Sequence, residues 1–153
     1  VLGCYIGFSE LLRAGQITRM PRLHAAQPLN CSPIDASFIG GADQAIERMV
    51  KPTIAEGTAI RKPIRLPQLL SAIRETGGST LALTEEQIIA AVRSLSRMGL
   101  YPEPTSATAA AAYDLLMHRG VIKPADTTVV LLTGTGLKST QFMTELFSPT
   151  DKS

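Results

Sequence analysis

The chain has 153 residues and a mass of 16.3 kDa, enough for one domain with a core of its own. It is 44% hydrophobic, 18% charged and 5% aromatic, which describes globular material rather than a disordered or membrane-spanning chain. The net charge of +2 is too small and too scattered along the chain for nucleic-acid recognition. Cys4 and Cys31 lack CxxC spacing and the histidines are unpaired, so neither a metal site nor a disulfide framework is expected.

The opening residues, Val1 to Phe8, have no basic lead and no long apolar core, so they form neither a signal peptide nor a membrane anchor. They read as internal to a longer sequence. Tyr5, Phe8, Leu11 and Leu12 recur at helical spacing, which predicts a helix over 3–14 closed by Gly15. Met20-Pro21 breaks the chain, residues 22–27 suit a short strand, and the Pro- and Gly-containing stretch 28–41 reads as a long loop. Asp43 can cap a short helix through Val50 with Ala45, Ile46 and Met49 inward. Residues 51–60 show no clear period. Pro67 suits the first turn of a helix carrying Leu69, Leu70 and Ile73 and closed by Gly77; residues 79–83 then read as a strand.

Thr84 and Gln87 form a capping-box pattern that opens the clearest helix, with Ile88, Val92, Leu95 and Met98 on one face and Gly99 at its end. The alanine-rich run 106–119 favours a helix and allows close approach to a sheet. Gly120 stops it. Val129 to Leu132, apolar and β-branched, then predicts a strand covered on both faces. Residues 1–147 read as one domain and 148–153 as a flexible tail. Strands separated by helices of this length imply an open, mostly parallel α/β sheet with helices on both faces.

The last strand runs into Thr133-Gly-Thr-Gly136, and the carboxyl end of a strand in an open α/β sheet is where ligands usually sit. The turn is not a nucleotide-binding P-loop, because one residue separates Gly134 from Gly136 and Leu137 precedes Lys138. A plain tight turn remains an alternative.

Five segments, read together, resemble the fold-type II pyridoxal-phosphate enzymes. They are residues 7–11 (GFSEL), 21–27 (PRLHAAQ), 53–57 (TIAEG), 103–107 (EPTSA) and 132–138 (LTGTGLK). The last is most similar to the threonine synthase branch. The resemblance implies that residues 1–147 are the carboxyl-terminal part of the large domain of such an enzyme, with pyridoxal 5'-phosphate as cofactor and an amino-acid substrate. Thr133 matches the residue whose hydroxyl meets the pyridine nitrogen, with Gly134 beside it. Glu103 matches a glutamate beside the ring, Ala55 and Gly57 match small residues that leave room for ring and substrate, and Gly3 would follow the phosphate loop. The implied reaction is conversion of O-phosphohomoserine to threonine and phosphate. A serine or threonine dehydratase or diamino-acid ammonia-lyase of the same fold is the alternative, and a non-catalytic binding domain is the alternative of another class.

In this family the Schiff-base lysine stands far upstream of these motifs, so no catalytic residue is expected within the chain and Lys138 reads as a solvated surface lysine. His24 and His118 lack a nucleophile or metal partner in the sequence, and the cysteines suit small buried groups. A cytoplasmic homo-oligomer without nucleic-acid or membrane partners is expected.

Overall fold

The computed structural model describes residues 1–46 and 49–148. Among them are six α-helices, α1 (Leu2–Arg13), α2 (Pro33–Ile39), α3 (Leu66–Glu75), α4 (Glu85–Arg97), α5 (Pro104–His118) and α6 (Thr140–Phe147). Two strands, β1 (Ala25–Pro28) and β2 (Thr80–Leu83), pair in parallel with Ala25 opposite Thr80 and Pro28 opposite Leu83. This is an α/β domain with a small parallel sheet flanked by helices.

Alternation along the strands sorts the two faces. Leu81 and Leu83, with Ala26 beside them, point into the main core against Ile88 and Val92 of α4 and Ala107 and Ala111 of α5. The alanines let α5 lie close to both α4 and the sheet, as their sequence suggests. The opposite face is polar and fixes α2. Gln27 Oε1 accepts the N–H groups of Ile34 and Asp35 at 2.9 and 3.3 Å, serving the first turn of a helix whose own N-cap, Ser32, gives no side-chain bond. Thr80 donates its hydroxyl to Asp35 Oδ1 at 2.8 Å. Such buried groups are tolerated because each finds a partner.

Helix α4 carries the full capping box: Thr84 Oγ1 accepts from Gln87 N–H at 3.3 Å, and Gln87 Oε1 from Thr84 N–H at 2.9 Å. Helix α3 buries Leu70 and Ile73 and packs against α1 and α2. Tyr5 of α1 donates to the Glu75 carboxylate of α3, which also accepts from Ser71 at 2.5 Å. These bonds hold the Glu75 pKa below its ordinary value, and the carboxylate raises that of Tyr5.

Several sequence expectations are corrected. Residues 28–41 are not one loop, since they contain α2, a helix too short to show a period. The helix expected over 43–50 is absent from its described residues, with Met49 85% exposed; Glu47 and Arg48 lie outside the described residues. Met98 follows the end of α4 and is exposed rather than inward. Helix α6 was not foreseen.

The largest departure is the strand expected over 129–132. Val129 is 78% exposed and Leu131 58%, and the segment joins no sheet. Among the described residues no backbone group from 127 to 133 is hydrogen-bonded. Strand propensity needs a ladder partner to be realised, and neither β1 nor β2 provides one here. The sheet is accordingly smaller than the open sheet expected.

Candidate functional site

Both strands point their carboxyl ends toward one region. β2 runs through Thr84 into α4, placing Glu85 in that helix's first turn, while Pro104 at the first helical position starts α5 with Glu103 as its N-cap. The Gly134 turn is tied to this start. Glu103 N–H donates to Gly134 O at 3.1 Å, Gly134 N–H donates to Ser106 Oγ at 2.7 Å, and Gly136 N–H donates to Tyr101 O at 2.7 Å. Pro102 and Thr135 form an antiparallel bridge between the same segments. From the other side, Gly57 N–H donates to Thr105 Oγ1 at 3.1 Å.

Beside these contacts lies a cleft of about 680 Å³, whose lining includes Thr53, Gly57, Glu85, Glu103, Lys138 and Thr140 but neither Thr133 nor Gly134. The size suits a small organic ligand, for which pockets of about 300–1,000 Å³ are usual. Glu103 is largely buried, with its side chain 15% exposed, and its Oε1 lies 4.0 Å from Lys138 Nζ. Helix α5 directs its amino terminus here, where a helix favours negative charge.

The approach is tight at two glycines. A Cβ on Gly134 would lie 1.8 Å from Glu103 Oε1, and one on Gly57 would lie 3.0 Å from Thr105 Oγ1. Neither glycine has a positive φ, so close approach rather than backbone conformation is what a side chain there would meet, and Glu103 or Thr105 would have to give way.

Of the residues singled out from sequence, Gly57, Glu103 and Gly134 meet around the start of α5. Ala55 lies just behind them, fully buried in the main core. Thr133 adjoins Gly134 but is exposed, and its side chain makes no hydrogen bond among the described residues. Gly3 stands in the first turn of α1, a helix with no buried residue, and does not line the cleft. Lys138, read as a surface lysine, is 63% exposed yet lines the cleft opposite Glu103. Glu85 and Thr105 were missed; the capping box and the Pro-started helix marked those helix starts, but nothing showed that they share a cleft.

His24 Nδ1 and Ser79 Oγ lie 2.8 Å apart beside the amino ends of the strands, away from the cleft. Burial, then the charge of Arg22, lowers the His24 pKa from its ordinary value. Among the described residues no group of three or more His, Cys, Asp or Glu could hold a metal, and no helix is long and apolar enough to cross a membrane.

A parallel sheet whose carboxyl ends open onto a cleft is the arrangement of a small-molecule site in an α/β enzyme. Residues 1–134 match the family model described as "Pyridoxal-phosphate dependent enzyme", and the chain belongs to that family, whose cofactor is pyridoxal 5'-phosphate. It is similar to threonine synthase from Methanosarcina acetivorans, 33% identical over 142 residues, covering 92% of this chain and 35% of the relative. Threonine synthase from Methanocaldococcus jannaschii is 34% identical over 133 residues, covering 86% of this chain and 33% of the relative. The solved structure of threonine synthase from Escherichia coli shares the fold, with a TM-score of 0.66 at 20% identity over 83% of this chain and 29% of that one. The chain spans about a third of the length of the curated relatives it matches.

The cleft fits the ring of the cofactor. The space admits a small ring, Gly57 adds no side chain to the wall, and the start of α5, the Thr105 hydroxyl and the Lys138 ammonium are the groups that suit an anionic part, set among the carboxylates of Glu56, Glu85, Glu103 and Glu145.

Proposed function

We propose that this chain forms one wall of the cofactor site of a threonine synthase-like lyase, which in its whole form converts O-phosphohomoserine to threonine and phosphate. The observation that carries the reading is the meeting of Gly57, Glu103 and Gly134 around the start of α5. Pyridoxal phosphate, when bound, supplies an electron sink to the reacting amino acid.

The chain's own residues orient and tune that group. Thr133 offers a neutral hydroxyl to the ring nitrogen, and its neighbour Gly134 is fixed by bonds to Glu103 and Ser106. A hydroxyl does not hold that nitrogen protonated as a carboxylate would, which suits reactions in which a leaving group departs from the neighbouring carbon. Glu103 Oε1 offers an acceptor beside the ring, and the Lys138 ammonium 4.0 Å away balances its charge. Gly57 leaves the cleft wall free of bulk, and the small Ala55 packs behind it.

We assign covalent attachment of the cofactor to a lysine of the whole protein outside these residues, so this stretch alone is expected to be inactive. The reading carries with it a cytoplasmic homo-oligomer. Its test is an assay of the whole protein with O-phosphohomoserine, expected to release phosphate and form threonine. Ammonia formed from serine or threonine without phosphate release would overturn it in favour of a dehydratase.

A further inference from the structure

We infer that Glu85 and Asn30 form a clamp that positions the Thr53–Gly57 wall of the cleft, an inference that rests on reading that cleft as the cofactor site. A carboxylate in the first turn of a helix such as α4 is favoured by the dipole without any partner. Glu85 instead engages both oxygens. Its Oε2 accepts Ile54 N–H at 2.8 Å and its Oε1 accepts Asn30 Nδ2 at 3.3 Å. Asn30 Nδ2 also donates to Pro52 O at 2.6 Å, and Asn30 O accepts Lys51 N–H at 3.0 Å.

The two clamp residues stand just beyond the carboxyl ends of β1 and β2, so the irregular segment 51–54 is fastened to the sheet itself. Three residues after Ile54, Gly57 meets Thr105, with only 3.0 Å between a would-be Cβ and the hydroxyl. Ile54 itself lines the cleft, so the bond that fixes its amide fixes part of the cleft wall. Glu85 is a positioning residue in this account, acting through the Ile54 amide.

Because Glu85 also lines the cleft, the test must separate positioning from direct contact with a ligand. Asn30 is absent from the cleft lining and makes that separation possible. Glu85→Ala, Glu85→Gln, Asn30→Ala and the double variant Glu85→Ala/Asn30→Ala are made in the whole protein. Amide hydrogen exchange is followed at Ile54 and Gly57, and pyridoxal 5'-phosphate affinity is measured by equilibrium dialysis.

Glu85→Ala and Asn30→Ala are each expected to speed exchange at both amides and to weaken binding, by about tenfold. Glu85→Gln, which retains an acceptor for Ile54 N–H, is expected to recover most of both effects. The double variant is expected to be little worse than Glu85→Ala, because the two residues act as one unit. Unchanged exchange at Gly57 overturns the clamp. Weakened binding in Glu85→Ala with Asn30→Ala silent also overturns it, assigning Glu85 to direct contact while leaving the cofactor-site reading intact. No binding by the parent whole protein sinks the cofactor-site reading and the clamp's functional role together, even where exchange behaves as expected.

Discussion

Replacing Gly78 or Gly134 by Ala puts a new methyl 1.8 Å from its nearest neighbour in both cases, yet the outcomes are expected to differ in kind. At Gly78 the neighbour is the carbonyl oxygen of Leu23, with the carbonyl carbon at 2.7 Å and the amide nitrogen at 3.2 Å. That backbone is held by Leu23 N–H to Thr76 Oγ1 at 3.2 Å and by Ala25 N–H to Ser79 O at 2.9 Å, so relief requires moving the run-in to β1. The cost is expected at the upper end of overpacking, about 3 kcal/mol. At Gly134 the neighbours are Oε1 and Cδ of Glu103, the last at 2.4 Å, and a side chain can rotate away. Rotation costs about 1 kcal/mol. The lost ion pair with Lys138, which is 63% exposed, adds less than about 1 kcal/mol after solvent screening. Urea unfolding of both variants, with midpoint and slope compared to the parent, measures the difference. Equal destabilisation by the two substitutions, or a neutral Gly78→Ala, would refute the reasoning.

Further expectations follow from single features. Thr84→Ala removes the acceptor of the capping box and is expected to cost about 1 kcal/mol in urea unfolding, whereas a loss too small to measure would mean that α4 is held by its packing alone. Ile88→Ala, at a fully buried position in the main core, is expected to cost about 2–5 kcal/mol by the same measurement, and a loss under about 1 kcal/mol would mean the site collapses around the change. Because burial depresses the His24 pKa below the ordinary 6.5, the unfolded chain takes up its proton first as pH falls. The stability gained from the neutral ring is therefore full above about pH 6.5 and lost as pH falls through the folded value. The urea midpoint should drop between about pH 7.5 and about pH 5.5, and less so in His24→Gln; an equal drop in both would assign the effect to other groups.

Local signals were legible where the chain supplies both partners. The capping box, the alanine face of α5 and strand β2 all lie where residues 79–119 indicated, because caps and helix faces are satisfied within a few residues. Helix α2 was hidden because its cap acceptor, Gln27, comes from a strand rather than from its own flank. The apolar run 129–132 was read as a strand on propensity, yet its ladder partner is not among the described residues, and the sequence of a strand does not say what it pairs with. The site was legible through its motifs as separate points. Their meeting depends on long-range bonds, Gly57 to Thr105 and Gly134 to Ser106, that no local pattern encodes. Lys138 was set aside for the same reason, since its nearness to Glu103 exists only after the 134–136 segment docks on 101–103.

The claim on which the account turns is that the cofactor ring lies against the start of α5, between the Gly57 and Gly134 segments. The most direct measurement is an amide ¹H–¹⁵N titration of the whole protein with pyridoxal 5'-phosphate. The shifts are expected to concentrate at Gly57, Glu103, Thr105 and Gly134, with Gly15 and Gly99 unmoved. Shifts centred on α1 and α3, or none at saturating cofactor, would contradict it.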